Sequence, residues 1–81
     1  MGYYDPMTGH VDFSGALKML REGRRITRAG WNGRGMWIRI FDILDWDPFI
    51  VMHNTKGDLV PWTASQTDLL ATDWVEVIEG N

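Results

Sequence analysis

Pro61-Trp62-Thr63-Ala64-Ser65-Gln66-Thr67-Asp68-Leu69-Leu70, preceded by Leu59-Val60, is a strand end that passes without a spacer into a short helix. Thr63 and Gln66 have the spacing of a capping box: the hydroxyl serves a free N–H of the first turn and Gln66 reaches back. The helix is expected from about Ala64 to Ala71, with Leu69 and Leu70 as its buried face. Unpaired donors at a helix start suit anionic oxygens. Trp62 sets a flat ring beside them. Two readings stay open at this point. Ring plus donors suit a nucleotide; equally, Trp62 is a core ring and the polar residues only cap a helix.

Outward from this junction the pattern is of strands. Phe49-Ile50-Val51-Met52-His53 and Leu59-Val60-Pro61-Trp62 flank Asn54-Thr55-Lys56-Gly57-Asp58, a hairpin signal. Pro61 cannot donate to a ladder and marks an edge or a strand end. Downstream, Thr72-Asp73 closes the helix and Trp74-Val75-Glu76-Val77-Ile78-Glu79 alternates as a last strand, with Trp74 as a core ring. Upstream, Met36 to Phe41 alternates: Met36, Ile38 and Ile40 face one way, Trp37, Arg39 and Phe41 the other. Both faces are apolar, which predicts a central strand covered on one side by a helix and on the other by a partner subunit or a ligand. Arg25-Ile26-Thr27-Arg28 is a further short strand. Ala16, Leu17 and Leu20 form one apolar helical stripe, with Ser14 the expected cap and Gly23 the left-handed stop. The sum is an α+β domain, a mostly antiparallel sheet of about five strands with two short helices, in residues 12–81. Residues 1–11, with Gly2, Asp5-Pro6 and Thr8-Gly9 and no period, read as a flexible N-terminal arm.

Between two of these strands lies Ala29-Gly30-Trp31-Asn32-Gly33-Arg34-Gly35, a tight, glycine-rich turn. A turn does not need a ring, so Trp31 either lids the core or faces a ligand. Asn32 offers donors and acceptors to a base edge or a ribose. Arg39, between Trp37 and Phe41, can stack on a ring or hold a phosphate. Other polar residues carry less. His10 has only Asp12 near it and His53 has no acidic or Ser partner in sequence, and Asp42, Asp45 and Asp47 lack the glycine and closing glutamate of a calcium loop. Residues 42–48 read as a solvated connection in which Trp46 is an interface residue or a flap.

The chain has 81 residues and no cysteine, so neither a disulfide nor a thiolate metal site can staple it. A domain this small buries only about 60–65% of its unfolded surface, which makes oligomerisation a reasonable expectation. Eight Lys and Arg against eleven Asp and Glu leave a net charge of −3. That argues against a protein that neutralises many phosphates of a long nucleic acid. No apolar run has the length of a membrane span, and Met1-Gly2-Tyr3-Tyr4 has no signal-peptide character, so a soluble, cytoplasmic protein is expected.

Three pieces occur together in this order: Phe13-Ser14-Gly15-Ala16-Leu17 through Gly23; Thr27-Arg28-Ala29-Gly30-Trp31-Asn32-Gly33; and Val60-Pro61-Trp62-Thr63-Ala64-Ser65-Gln66-Thr67-Asp68-Leu69-Leu70-Ala71-Thr72-Asp73-Trp74. With them the chain resembles the second class of phage Thoeris anti-defense proteins, over roughly residues 12 to 79. The resemblance implies a non-enzymatic sponge, without a cofactor or metal, in the cytoplasm of an infected bacterial host. Such a sponge captures a cyclic nucleotide immune signal of the glyco-cyclic ADP-ribose type, or cyclic dinucleotides, so that the downstream effector is never activated. It also implies a homo-oligomer, a tetramer or the smaller dimer, with pockets where protomers meet. Carried over by position, the ligand-binding residues are Trp31, Asn32, Trp62, Ala64, Ser65, Gln66 and Asp68, to which the strand pattern adds Trp37 and Arg39. In one respect the chain departs from the pattern: only residues 42–48 stand where relatives often carry a longer Pro- and Gly-rich segment. Two other classes of function compete: an interaction module whose tryptophans form an oligomer interface, and an enzyme using Asp68 or His53.

Overall fold

The computed structural model describes residues 3–31 and 35–78. Helix α1 (Phe13–Arg21) turns Ala16 and Leu20 into the core. Its cap is Asp12, not Ser14. One Asp12 oxygen accepts from the Gly15 N–H at 3.0 Å and from the Ser14 hydroxyl at 2.6 Å, and the other accepts from the Tyr3 N–H at 2.8 Å. An ionised carboxylate takes donors from the helix and from the arm together, which one hydroxyl cannot, so it outcompetes Ser14 for the position. These bonds hold Asp12 below the ordinary aspartate range, the Ser14 hydroxyl contributing most. The helix stops at Gly23, whose φ of +85° suits a residue without Cβ.

Gly15 is needed for a different reason. A Cβ there would lie 2.7 Å from the Val11 Cβ, closer than any real contact. Alanine would gain about 0.5–1 kcal/mol in helix propensity. Forcing the helix away from Val11 costs about 1–3 kcal/mol. The clash wins, so Gly15→Ala is expected to lower the urea midpoint without changing the slope; an unchanged or raised midpoint would contradict the packing described.

The strands are β1 (Ile26–Arg28), β2 (Trp37–Phe41), β3 (Phe49–His53), β4 (Leu59–Pro61) and β5 (Trp74–Glu76). They form one sheet in the order β4-β3-β2-β1-β5, antiparallel at every pairing, so the α+β expectation holds. The β3–β4 hairpin forms as read, with the Asn54 side chain accepting from the Lys56 and Asp58 N–H groups. The connection from β4 to β5 crosses the sheet and carries helix α2 (Gln66–Leu70), which lies beside α1. Residues 3–11 fold back through the Asp5 N–H on the His10 carbonyl, and Val11 exchanges both backbone bonds with Trp74, at 2.9 and 3.1 Å.

Register sorts the side chains. Ile26 opposes Ile38, and Ile38 opposes Met52, so these share the face under the helices; with Ala16, Leu20 and Trp74 they make the core. Trp74 is 0% exposed and is the largest buried side chain. On the opposite face Trp37 pairs with His53, Arg39 with Val51 and Phe41 with Phe49, and β4 adds Leu59 and Pro61. Trp37 stacks on His53 at 4.8 Å and 4°, and Phe41 meets Phe49 edge-on at 5.8 Å. The helices lie on the core face, so this second face carries no helix: Val51 at its centre is 4% exposed and Phe41 36%. Residues 42–48 run exposed along one end, with Trp46 tilted over Phe49 at 6.3 Å.

Candidate ligand site

Helix α2 begins two residues later than its spacing suggests. The Trp62 N–H donates to the Ile50 carbonyl at 2.9 Å, which keeps the chain tied to the sheet through residue 62. The cap is therefore Ser65. Its hydroxyl accepts from the Asp68 N–H at 3.1 Å, and an Asp68 oxygen accepts from the Ser65 N–H at 3.3 Å. This is a capping box with aspartate in the reaching role, in place of the Thr63–Gln66 pair. Gln66, released from capping, is an exposed first helical residue, and Leu69 and Leu70 face outward, the latter 80% exposed. A one-turn helix this exposed is held by its cap and by what Asp68 grips, not by a buried stripe.

Asp68 grips a great deal. Its Oδ1 accepts from Arg28 Nη1 at 2.9 Å and from the Trp31 indole Nε1–H at 3.3 Å. Arg28 Nε also donates to Asp73 Oδ1 at 2.8 Å, and Asp73 Oδ2 accepts from the Gly30 N–H at 2.8 Å. One guanidinium thus joins the end of β1, the turn after it, the first turn of α2 and the residue before β5. Arg28 is held above the ordinary arginine value, chiefly by its bond to Asp73. For Asp68 and Asp73 burial is the largest influence and pushes upward, but the Arg28 bond and backbone donors outweigh it, so both carboxyls stand below the ordinary range.

Around this network the rings gather on Trp74. Trp31 meets it edge-on at 5.3 Å and 81°, Trp62 at 6.1 Å and 85°, and Phe13 at 5.4 Å. The Trp74 indole N–H donates to the Asp68 carbonyl at 3.0 Å. Trp31 and Trp62 are half-buried: one edge of each ring is fixed on the core while part of the ring remains accessible. Both rings therefore lid the core and also present surface.

The structure divides the expected ligand residues in two. Trp31, Trp62, Ala64, Ser65, Gln66 and Asp68 lie together on the helical side, whereas Trp37 and Arg39 belong to the helix-free face of the sheet. Asn32 lies outside the described residues. Arg39 lines a groove of about 440 Å³ with Arg24, Arg25 and Val77, and Arg25 stands 5.4 Å over the Trp37 ring. Within one protomer the groove and the tryptophan cluster are separate places. Arg28 and Asp73 are the residues that sequence reasoning missed. The alternation of Arg25 to Arg28 was visible, but nothing local pairs Arg28 with carboxylates far along the chain. No group of three or more His, Cys, Asp or Glu that could hold a metal occurs among the described residues.

Residues 11–77 match the family model described as Tad2-like, the Thoeris anti-defense 2-like domain. The chain belongs to that family. The match takes in both helices, all five strands and every residue of the Arg28 network. Among curated proteins the chain is similar to Thoeris anti-defense 2 of Bacillus phage SP01, 29% identical over 85 residues, covering 84% of this chain and 96% of the relative. Membership in the Tad2-like family supports a phage anti-defense role.

Proposed function

We propose that this Tad2-like protein is a sponge: it binds a cyclic nucleotide immune signal without cleaving it and so withholds it from its effector. The signal is of the glyco-cyclic ADP-ribose type, with cyclic dinucleotides as the neighbouring class. The observation that carries this reading is the pair of half-buried rings, Trp31 and Trp62, fixed edge-on against Trp74 beside Ala64, Ser65 and Gln66. Rings held in this way give a base a surface to stack on. The neighbouring polar residues and Asn32 serve ribose and phosphate oxygens. A useful sponge works near nanomolar affinity, about −12 kcal/mol. Stacking supplies roughly 1–3 kcal/mol per base, and hydrogen bonds to charged groups about 1.5–3 kcal/mol each. Two rings and a few such bonds reach that total only where little ordering is needed on binding. Anchoring both rings on a buried third ring meets that condition.

The site is completed by a second protomer. The helix-free face, with Trp37, Phe41 and Phe49, is a surface for self-association, and a neighbour docked there places its own groups against the first protomer's. A homotetramer is the assembly proposed, a dimer the smaller form, acting in the cytoplasm of the infected bacterium.

The test is capture and release. The protein is incubated with cyclic ADP-ribose isomers, glyco-cyclic ADP-ribose and cyclic dinucleotides, then heated, and the supernatant is assayed by mass. Return of the intact ligand is expected, with Trp62→Ala retaining less than a hundredth of the capture. Cleaved product would indicate an enzyme. Loss of both capture and assembly in Trp62→Ala would favour an interaction module, and a monomer by mass in solution would remove the inter-subunit pocket.

A further inference from the structure

We infer that Arg28 is the positioning residue of this site, acting through Asp68 to set where Trp31 stands; the inference rests on the sponge reading for its ligand. The guanidinium holds two carboxylates at once, Asp68 through Nη1 at 2.9 Å and Asp73 through Nε at 2.8 Å, on a side chain that is mostly buried. Arginine's planar fork can hold two carboxylates in one fixed geometry; a lysine ammonium is a point charge on a flexible stem and cannot. Spanning them fixes the distance between the first turn of α2 and the start of β5.

Trp31 hangs on the same bond. Its indole N–H shares Asp68 Oδ1 with Arg28, while the Gly30 N–H just before it is held by Asp73. The turn that carries Trp31 is thus pinned at two points by the two carboxylates that Arg28 holds. Both Asp68 oxygens are engaged, Oδ1 by Arg28 and Trp31 and Oδ2 by the Ser65 N–H, and the side chain is only 14% exposed, which leaves little of it open to a ligand. Asp68, which the motif placed among the ligand contacts, therefore works from behind the ring. Trp31 and Ser65, both attached to it, are among the groups that meet the ligand.

The experiment compares wild type, Arg28→Lys and Asp68→Asn, each labelled with nitrogen-15. The Trp31 indole resonance is assigned by its disappearance in Trp31→Phe. In both variants that resonance is expected to move and its N–H to exchange with solvent at least tenfold faster, while the amide of Val51, in β3 two strands away from Arg28, keeps its position. Titration with glyco-cyclic ADP-ribose is expected to show affinity lower by tenfold or more in both. A Trp31 resonance that stays put in Arg28→Lys overturns the inference, as does a displaced resonance with unchanged affinity. An affinity loss with the resonance fixed assigns Arg28 to direct ligand contact and also overturns it. Where wild type itself captures none of the probe, the sponge reading fails, and the clamp is decided by the indole resonance, which needs no ligand. Asp68→Asn keeps the side-chain shape and serves as the deciding variant where Arg28→Lys does not fold.

Discussion

Replacing Trp74 with alanine is expected to leave the domain largely unfolded at room temperature. Deleting a fully buried tryptophan costs about 3–5 kcal/mol in lost transfer energy and cavity formation. Its indole N–H also donates to the Asp68 carbonyl at 3.0 Å, which would keep only the longer Ala71 N–H bond of 3.4 Å, and a lost hydrogen bond of this kind adds about 0.5–1.5 kcal/mol. A small domain without disulfides has a stability toward the lower end of about 5–15 kcal/mol. The loss is therefore comparable with the whole. Three further rings, Phe13, Trp31 and Trp62, lose their common partner in the same step. Urea denaturation followed by near-ultraviolet circular dichroism reads the effect. Trp74→Phe keeps a ring and loses the hydrogen bond, so it should fall in between. If Trp74→Ala melted within a few degrees of wild type, the rings would not be organised as described.

Asp68→Ala is expected to lower stability by about 2–3 kcal/mol. The carboxylate is 14% exposed and its Arg28 partner 16%, so water replaces the lost partner poorly and the surface-pair figure of about 0–1 kcal/mol does not apply. The change also breaks the capping box of α2. A pH dependence accompanies it. Asp68 and Asp73 have folded-state values lowered from the ordinary 3.8, so the unfolded chain binds protons more readily than the folded one. Their stabilising contribution is complete above about pH 5 and drains away as pH falls through 3.8 and below. The wild-type melting temperature should accordingly drop steeply on acidification below pH 5, and Asp68→Ala should show a shallower slope, having one fewer such group. Parallel slopes in the two proteins would mean that Asp68 titrates as a free side chain.

Much of the architecture was legible because it is written locally. The β3–β4 hairpin announces itself through Asn54 to Asp58, the central strand through the alternation of Met36 to Phe41, and the end of α1 through Gly23. The two caps were misplaced for one common reason. Spacing identifies residues able to cap, Ser14 and Thr63 among them, but the outcome turned on partners outside the local window: Tyr3 for Asp12, and Arg28 and the Ile50 carbonyl for the start of α2. The candidate site shows the same limit more sharply. Trp31 and Trp62 stood out as rings in unusual places. Their shared support on Trp74, and the separation of Trp37 and Arg39 onto the opposite face, depend on strand register and on a crossing connection that no short motif encodes.

The crossing of the chain from β4 to β5 bears on how the protein comes to exist at all. Hairpin β2–β3–β4 uses neighbours in sequence and can close early. The ring on which Trp31, Trp62 and Phe13 lean arrives only when the segment around residue 74 finds β1 and Val11, far back along the chain. Closing so long a loop before any contact rewards it slows folding toward the millisecond-to-second range typical of non-local sheets. Until that moment the early hairpins have no buried ring to seat their tryptophans. On the proposed reading, the pair of rings that would receive a ligand is complete only once the last strand has docked.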